Sequence, residues 1–171
     1  MIKNIIFGKR SNLTSSIIKK LKYYEVVSIK NINYQKLKLD NKYKKNYIFN
    51  NFYPSFKLNT LKPSQYEKFI DSSIVKLIQI LTNLDLNNIN KIIYTSSSSV
   101  YSLEENLGNT EFDKFNRKIY ASFKYSAERI IENYCKQKKI RFYIMRLFNT
   151  YGDDNDKFSF IEKLIRIKKN R

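Results

Sequence analysis

Two hydrophobic periods take turns along this chain. Short β-rich runs alternate with stretches whose apolar residues recur every three or four positions, so strands and helices are expected to succeed one another from end to end. Ile2–Phe7 is a strand-like run halted by Gly8, and Ile17, Ile18 and Leu21 then fall at helical spacing within residues 12–24. Tyr24–Ile29 reads as a second strand, Lys30–Lys45 as a polar loop or short helix anchored by Ile32, Tyr34, Leu37 and Leu39, and Asn46–Asn50 as a third strand. Pro63 and Ser64 open a helix predicted to Asn83, with Phe69, Ile70, Ile74, Leu77, Ile78 and Leu81 on one face. Lys91–Thr95 is the strongest strand and runs into Ser96–Ser99; a helix over 115–137, a strand over Arg141–Leu147 and an amphipathic segment over 158–168 complete the pattern. Buried strands joined by helices predict a doubly wound parallel sheet of the α/β class, one domain over residues 1–171, with ligands at the carboxyl ends of the strands.

Composition removes many chemistries. Cys135 is the only cysteine and there is no histidine, which excludes intramolecular disulfides, Cys/His zinc sites and histidine-based triads; no metal is expected. No apolar run approaches a membrane span and the N-terminus enters a strand instead of a signal sequence, so a cytoplasmic chain without membrane partners is expected. The net charge of +18 accompanies over-use of Lys, Asn, Ile, Tyr and Phe, the mark of an AT-rich coding sequence. Lys42, Lys44, Lys45, Lys136, Lys138 and Lys139 fall in polar stretches and read as solvated, and a nucleic-acid partner is not expected.

The constellation most able to do chemistry is Tyr120-Ala121-Ser122-Phe123-Lys124, with Ser97 upstream at the end of a strand. Residues i and i+4 are neighbours on a helix, so the Lys124 ammonium is expected beside the Tyr120 hydroxyl, lowering its pKa towards a general acid or base. Ser97 would orient a substrate oxygen against Tyr120. Cys135 reads as a packing residue.

Three segments in order, Ile93-Tyr94-Thr95-Ser96-Ser97-Ser98-Ser99-Val100-Tyr101, Tyr120 to Glu128, and Arg146-Leu147-Phe148-Asn149-Thr150-Tyr151-Gly152, resemble the extended short-chain dehydrogenase/reductases, the NAD(P)-dependent epimerase/dehydratase family acting largely on nucleotide sugars. The resemblance implies a Rossmann-like fold, a catalytic hydroxyl on Ser97, the acid/base on Tyr120 and a ribose-binding role for Lys124. It also implies Phe148 at the nicotinamide and Ser98 and Asn149 towards a nucleotide-sugar substrate. The cofactor would lie against Gly8, Arg10, Ser11, Thr14, Lys30 and Asn51.

Departures from the family pattern set further expectations. The turn after the first strand reads Gly8-x-x-Ser11-x-x-Thr14 where the family has three glycines, so Ser11 and Thr14 either fit under the phosphates or obstruct them. Lys30 stands where NAD-preferring members carry an acid, which favours NADP over NAD. Phe52-Tyr53 adds bulk after the third strand, Asp71 is the nearest counterpart of a helix asparagine, and one sheet strand is expected to be missing between the second and third. Family members continue into a substrate-binding domain where this chain reaches Arg171, so a fragment or a site completed by a second copy or partner chain is expected. A non-catalytic nucleotide-binding or interaction module is the alternative, and a basic nucleic-acid binder a more distant one.

Overall fold

The computed structural model describes residues 1–9, 11–39, 42–50, 63–101 and 119–148. Strands β1 (Ile2–Phe7), β2 (Tyr24–Val27), β3 (Lys44–Phe49), β4 (Ile89–Ser97) and β5 (Phe142–Leu147) form one five-stranded sheet in the order β2-β1-β3-β4-β5. Every pairing is parallel. The apolar runs become strands because both faces are covered: Ile5-Ile6-Phe7 and Tyr47-Ile48-Phe49 are buried at consecutive positions, which only a strand between two helical layers requires.

The helices are α1 (Asn12–Ile18), α2 (Tyr34–Leu39), α3 (Tyr66–Ile70), α4 (Lys76–Thr82) and α5 (Ile119–Gln137). Phe7, Tyr47, Phe49, Ile92 and Tyr94 of the sheet pack with Leu77, Ile80 and Leu81 of α4 and with Ala127, Ile131 and Cys135 of α5; Tyr34 and Leu37 of α2 lean on the same cluster. Phe7 stacks on Phe49 with ring centroids 4.9 Å apart, an arrangement that adds roughly 0.5–1.5 kcal/mol to simple burial. Polar ties close this layer, the Tyr34 hydroxyl donating to Gln79 Oε1 at 2.9 Å and the Tyr134 hydroxyl to the Leu81 carbonyl at 2.6 Å. The β1-α1-β2 crossover travels across the sheet against the direction of the later ones, so right-handedness places α1 on the opposite face, towards which Ile6 and Ile48 alternate.

The doubly wound α/β expectation therefore holds, and three stretches differ from the sequence pattern. The first helix ends at Ile18, because Lys20 N and Leu21 N bond Ile17 O and Ile18 O in tightened turns that let Tyr23 reach Asn4 at the sheet edge. The long helix predicted over 64–83 is interrupted by a π-turn over Asp71–Val75. Strand β3 starts at Lys44, and Lys45 is 2% exposed, not solvated, because it shares the strand face of the core-facing Tyr47 and Phe49. Among the described residues β2 is an outer strand paired only with β1, and α2 leads straight to β3, in keeping with the expected absence of a strand. Residues 102–118, Phe52-Tyr53 and the helical pattern over 158–168 lie outside the described residues.

The amino ends of the strands are linked by a row of side chains. Asn4 Nδ2 donates to Tyr23 O (3.0 Å), Asn46 Nδ2 to Asn4 Oδ1 (2.9 Å), Asn90 Nδ2 to Asn46 Oδ1 (2.7 Å) and Arg141 Nη2 to Asn90 Oδ1 (2.9 Å). Asn90 sits where the β3–β4 register shifts, Lys45 facing Ile89 and Asn46 facing Lys91.

Helix α5 stops at a left-handed residue, Lys139 (φ 55°), which lets Ile140 N bond Cys135 O at 2.8 Å. A side chain bearing Cβ costs about 1–2 kcal/mol in that conformation, part of which glycine gives back as lost unfolded-state freedom. Lys139→Gly is expected to stabilise the fold by about 0.5–1 kcal/mol, measured as an upward shift of the urea midpoint.

Candidate active site

Strand β4 delivers Thr95, Ser96 and Ser97 to the carboxyl end of the sheet, where the chain turns into a tight turn over Ser98–Val100. Ser97 Oγ caps that turn, accepting from Ser99 N at 3.2 Å and from Ser99 Oγ at 2.9 Å. Helix α5 begins beside it and brings Tyr120, whose hydroxyl is hydrogen-bonded to Ser97. One turn on, Lys124 is 4% exposed and donates from Nζ to the Thr95 carbonyl at 2.7 Å. The same amine lies 5.0 Å from the centroid of the Tyr94 ring and 6.0 Å from that of Tyr120. Ser97, Tyr120 and Lys124 thus meet at one strand end.

The electrostatics differ from the expectation in sign. Burial raises the Tyr120 pKa, and the hydrogen bond from Ser97 offsets this only in part. Lys124 does not lower it, because its amine is turned to Thr95 O and is itself pushed down to about 7 by burial, with Glu128 pulling the other way. Glu128 follows Lys124 by one turn, is equally buried, and forms a forked pair with Arg146 of β5: Nη2 to Oε2 at 2.8 Å and Nε to Oε1 at 3.1 Å. The Arg146 guanidinium also lies 4.8 Å over the ring of Tyr101. Sequence reasoning assigned no role to Glu128 or Arg146; the signals available were the i+4 spacing from Lys124 and a charge inside an apolar strand. Burial also lifts the Cys135 thiol to about 12, which suits packing and not nucleophilic chemistry.

The remaining candidates spread along the same end of the sheet. Phe148 follows β5, is 53% exposed and stacks on Tyr101 at 6.3 Å; Ser98 lies in the turn, its carbonyl accepting from Tyr101 N. Lys30 is exposed in a single turn after β2. Asp71, read as the counterpart of a helix asparagine, is exposed, whereas Ser73 of the same π-turn is buried. Arg10, Asn51 and Asn149 lie outside the described residues.

Whether the turn after β1 fits a dinucleotide depends on Ser11 and Thr14. Gly8 takes φ 122°, a conformation that favours glycine, and its carbonyl accepts from Thr14 Oγ1 at 2.8 Å and from Ser11 N at 3.2 Å. Asn50, just past β3, donates from Nδ2 to Ser11 Oγ at 2.9 Å and to Thr14 Oγ1 at 2.8 Å. Both hydroxyls are thereby drawn towards the sheet, and Thr14 is only 2% exposed, so the residues present fit a pyrophosphate across the outer side of the turn.

Residues 59–170 match the family described as the NAD dependent epimerase/dehydratase family. Among solved structures, the chain is similar to UDP-N-acetylglucosamine 4-epimerase from Methanobrevibacter ruminantium M1 in complex with UDP-N-acetylmuramic acid. That likeness has a TM-score of 0.77 at 19% identity and covers 98% of this chain and 63% of that one. A variant of UDP-glucuronic acid 4-epimerase from Bacillus cereus, in complex with a fluorinated UDP-glucuronic acid and NAD, gives a TM-score of 0.78 at 18% identity, covering 100% of this chain and 64% of that one. A UDP-galactose 4-epimerase gives 0.74 at 16%, covering 99% and 63%. The chain thus spans somewhat under two thirds of the length of these proteins, and at such identities the likeness speaks for the fold. No curated protein matches the chain.

The buried amine gives a test by pH. Lys124 titrates at about 7 when folded and at 10.5 when free in water, so between these values the unfolded chain binds the extra proton and stability rises with pH. The stability of the native chain minus that of Lys124→Met is expected to be flat below pH 7 and to climb towards pH 10.5, followed by urea denaturation across that range. A flat difference throughout would mean that the amine keeps its charge on folding.

Proposed function

The chain belongs to the NAD-dependent epimerase/dehydratase family, and from that premise we propose that it carries the dinucleotide-binding half of an enzyme that moves a hydride to and from a sugar carbon of a nucleotide sugar. The observation that carries this reading is the meeting of the Tyr120 hydroxyl, Ser97 and the Lys124 amine at the carboxyl end of β4. When bound, the nicotinamide supplies hydride acceptance and return.

Gly8, Ser11, Thr14 and Lys30 line the side where the dinucleotide would lie, with Arg10 and Asn51 assigned there by the resemblance. Tyr120 takes the proton from the sugar hydroxyl at its phenolic oxygen. Its raised pKa in the free chain means that ligands have to make the phenolate more favourable, and a charged Lys124 turned from Thr95 O towards the ribose is the group able to do so. Ser97, already bonded to Tyr120, orients the same sugar oxygen, with Phe148 assigned to the nicotinamide and Ser98 and Asn149 to the substrate by the resemblance. Residues 1–171 act as the nucleotide-binding unit. Because the chain spans under two thirds of the similar solved chains, the rest of the sugar site is proposed to come from a further segment, a second copy or a partner.

Tyr120→Phe is expected to abolish hydride transfer from a UDP-sugar to NAD+ while changing NADH affinity by less than about twofold, because the lost hydroxyl acts on the proton and not on cofactor binding. The readouts are nicotinamide absorbance and fluorescence titration, and an active Phe variant would overturn the role of Tyr120. Lys30 supports a second expectation, tighter binding of NADPH than of NADH. An affinity ratio of one or less, measured in the same titration, would remove Lys30 from the 2′-phosphate.

A further inference from the structure

The turn after β1 lacks two of the three glycines that such a turn uses to approach a pyrophosphate, and the structure indicates what stands in for them. Asn50 is placed at the point where the chain's path across the sheet reverses, between β1 and β3, its backbone N–H bonded to Phe7 O at 2.8 Å. Its side chain has three partners on two other segments: Nδ2 donates to Ser11 Oγ and Thr14 Oγ1, and Oδ1 accepts from Thr95 Oγ1 at 2.9 Å. The orientation of the amide follows from chemistry. The Gly8 carbonyl can only accept, so Thr14 spends its single proton there and must accept from Asn50, which turns the amide NH2 to the loop and the amide oxygen to Thr95. Ser11 begins α1 without capping it, because its hydroxyl is engaged by Asn50 instead.

We propose that Asn50 is a positioning residue that replaces the missing glycines: it holds the Ser11 and Thr14 side chains against the sheet, keeping the outer side of the turn clear for a dinucleotide pyrophosphate. Through Thr95 the same amide is joined to the chemistry. Thr95 Oγ1 shares its proton between Asn50 Oδ1 and Phe49 O, and the Thr95 carbonyl receives Lys124 Nζ at 2.7 Å. One side chain therefore connects the cofactor turn with the strand end that sets the lysine. The proposal rests on the dinucleotide reading given above and adds to it a residue that touches neither sugar nor nicotinamide.

Four forms of the full chain test it: native, Asn50→Ala, Ser11→Gly/Thr14→Gly, and the three changes together. In the absence of cofactor, Asn50→Ala is expected to speed amide hydrogen exchange at residues 8–15 about tenfold while the α5 core exchanges as before. With NADH, it is expected to weaken binding about tenfold in the native background and by less than threefold when both positions are glycine, since then no side chain needs holding. Unchanged exchange over 8–15, or an equal loss in the glycine background, would overturn the proposal. Should Asn50→Ala fail to fold, Thr14→Val, isosteric but without the hydroxyl that bridges Asn50 to Gly8, has to give the same faster exchange and weaker binding, and native behaviour would overturn the proposal. A native chain that binds no NADH would bring down the dinucleotide reading, while the exchange measurements still decide whether Asn50 holds the turn.

Discussion

The constraint to which the rest of the site answers is the burial of the Lys124 amine. An ammonium removed from water loses several kcal/mol of hydration unless hydrogen bonds and opposite charge replace it. The Thr95 carbonyl supplies the first and Glu128, one turn away, the second. Glu128 is itself buried and needs a cation of its own, which Arg146 provides from β5, and Arg146 in turn is seated on the Tyr101 ring beyond the end of β4. Each group offsets the cost of the one before it, so α5, β4 and β5 are fixed relative to one another by a single chain of compensation. Removing Arg146 would leave the buried Glu128 carboxylate with only the Lys124 amine opposite it, a broken pair of the kind that costs about 3–5 kcal/mol.

A second chain of contacts runs the other way from Thr95 to the first turn. A sequence poor in glycine and rich in long polar side chains has to make close turns by hydrogen bonding instead of by lacking a side chain. Gly8, at φ 122°, is the exception that the backbone demands. Elsewhere the hydroxyls of Ser11 and Thr14 are folded inward, their polar groups satisfied by an amide and a carbonyl. The two networks meet on one residue, Thr95, whose main-chain carbonyl serves the first and whose side chain serves the second.

The sheet was legible because consecutive apolar residues at Ile5-Ile6-Phe7 and Tyr47-Ile48-Phe49 have no other way to be buried on both sides. The gathering of Ser97, Tyr120 and Lys124 was legible too, through spacing and strand ends. Less legible was whatever depends on three-dimensional competition. The π-turn over Asp71–Val75 preserves an apolar spacing that looks like an unbroken helix. Burial of Lys45 follows from strand phase and not from its polar neighbours. The sign of the Tyr120 shift is set by burial, and the Lys124 amine that i, i+4 spacing placed beside Tyr120 is turned to Thr95 O instead. Asn50 was passed over in favour of Asn51, because a hub that joins residues 11, 14 and 95 has no period in the sequence.

The row of amides at the opposite end of the sheet acts on folding errors. Asparagine is a poor strand former, and three of them abreast weaken each strand's own preference. What they provide is alignment. Sliding β3 by one residue against β1 would turn Asn46 to the other face and break both of its side-chain bonds at once, and the misaligned sheet would carry orphaned amides where the native one carries none in that row. The chain is thus proofread at its amino-terminal rim, where no ligand group is placed, leaving the carboxyl-terminal rim free to vary its loops.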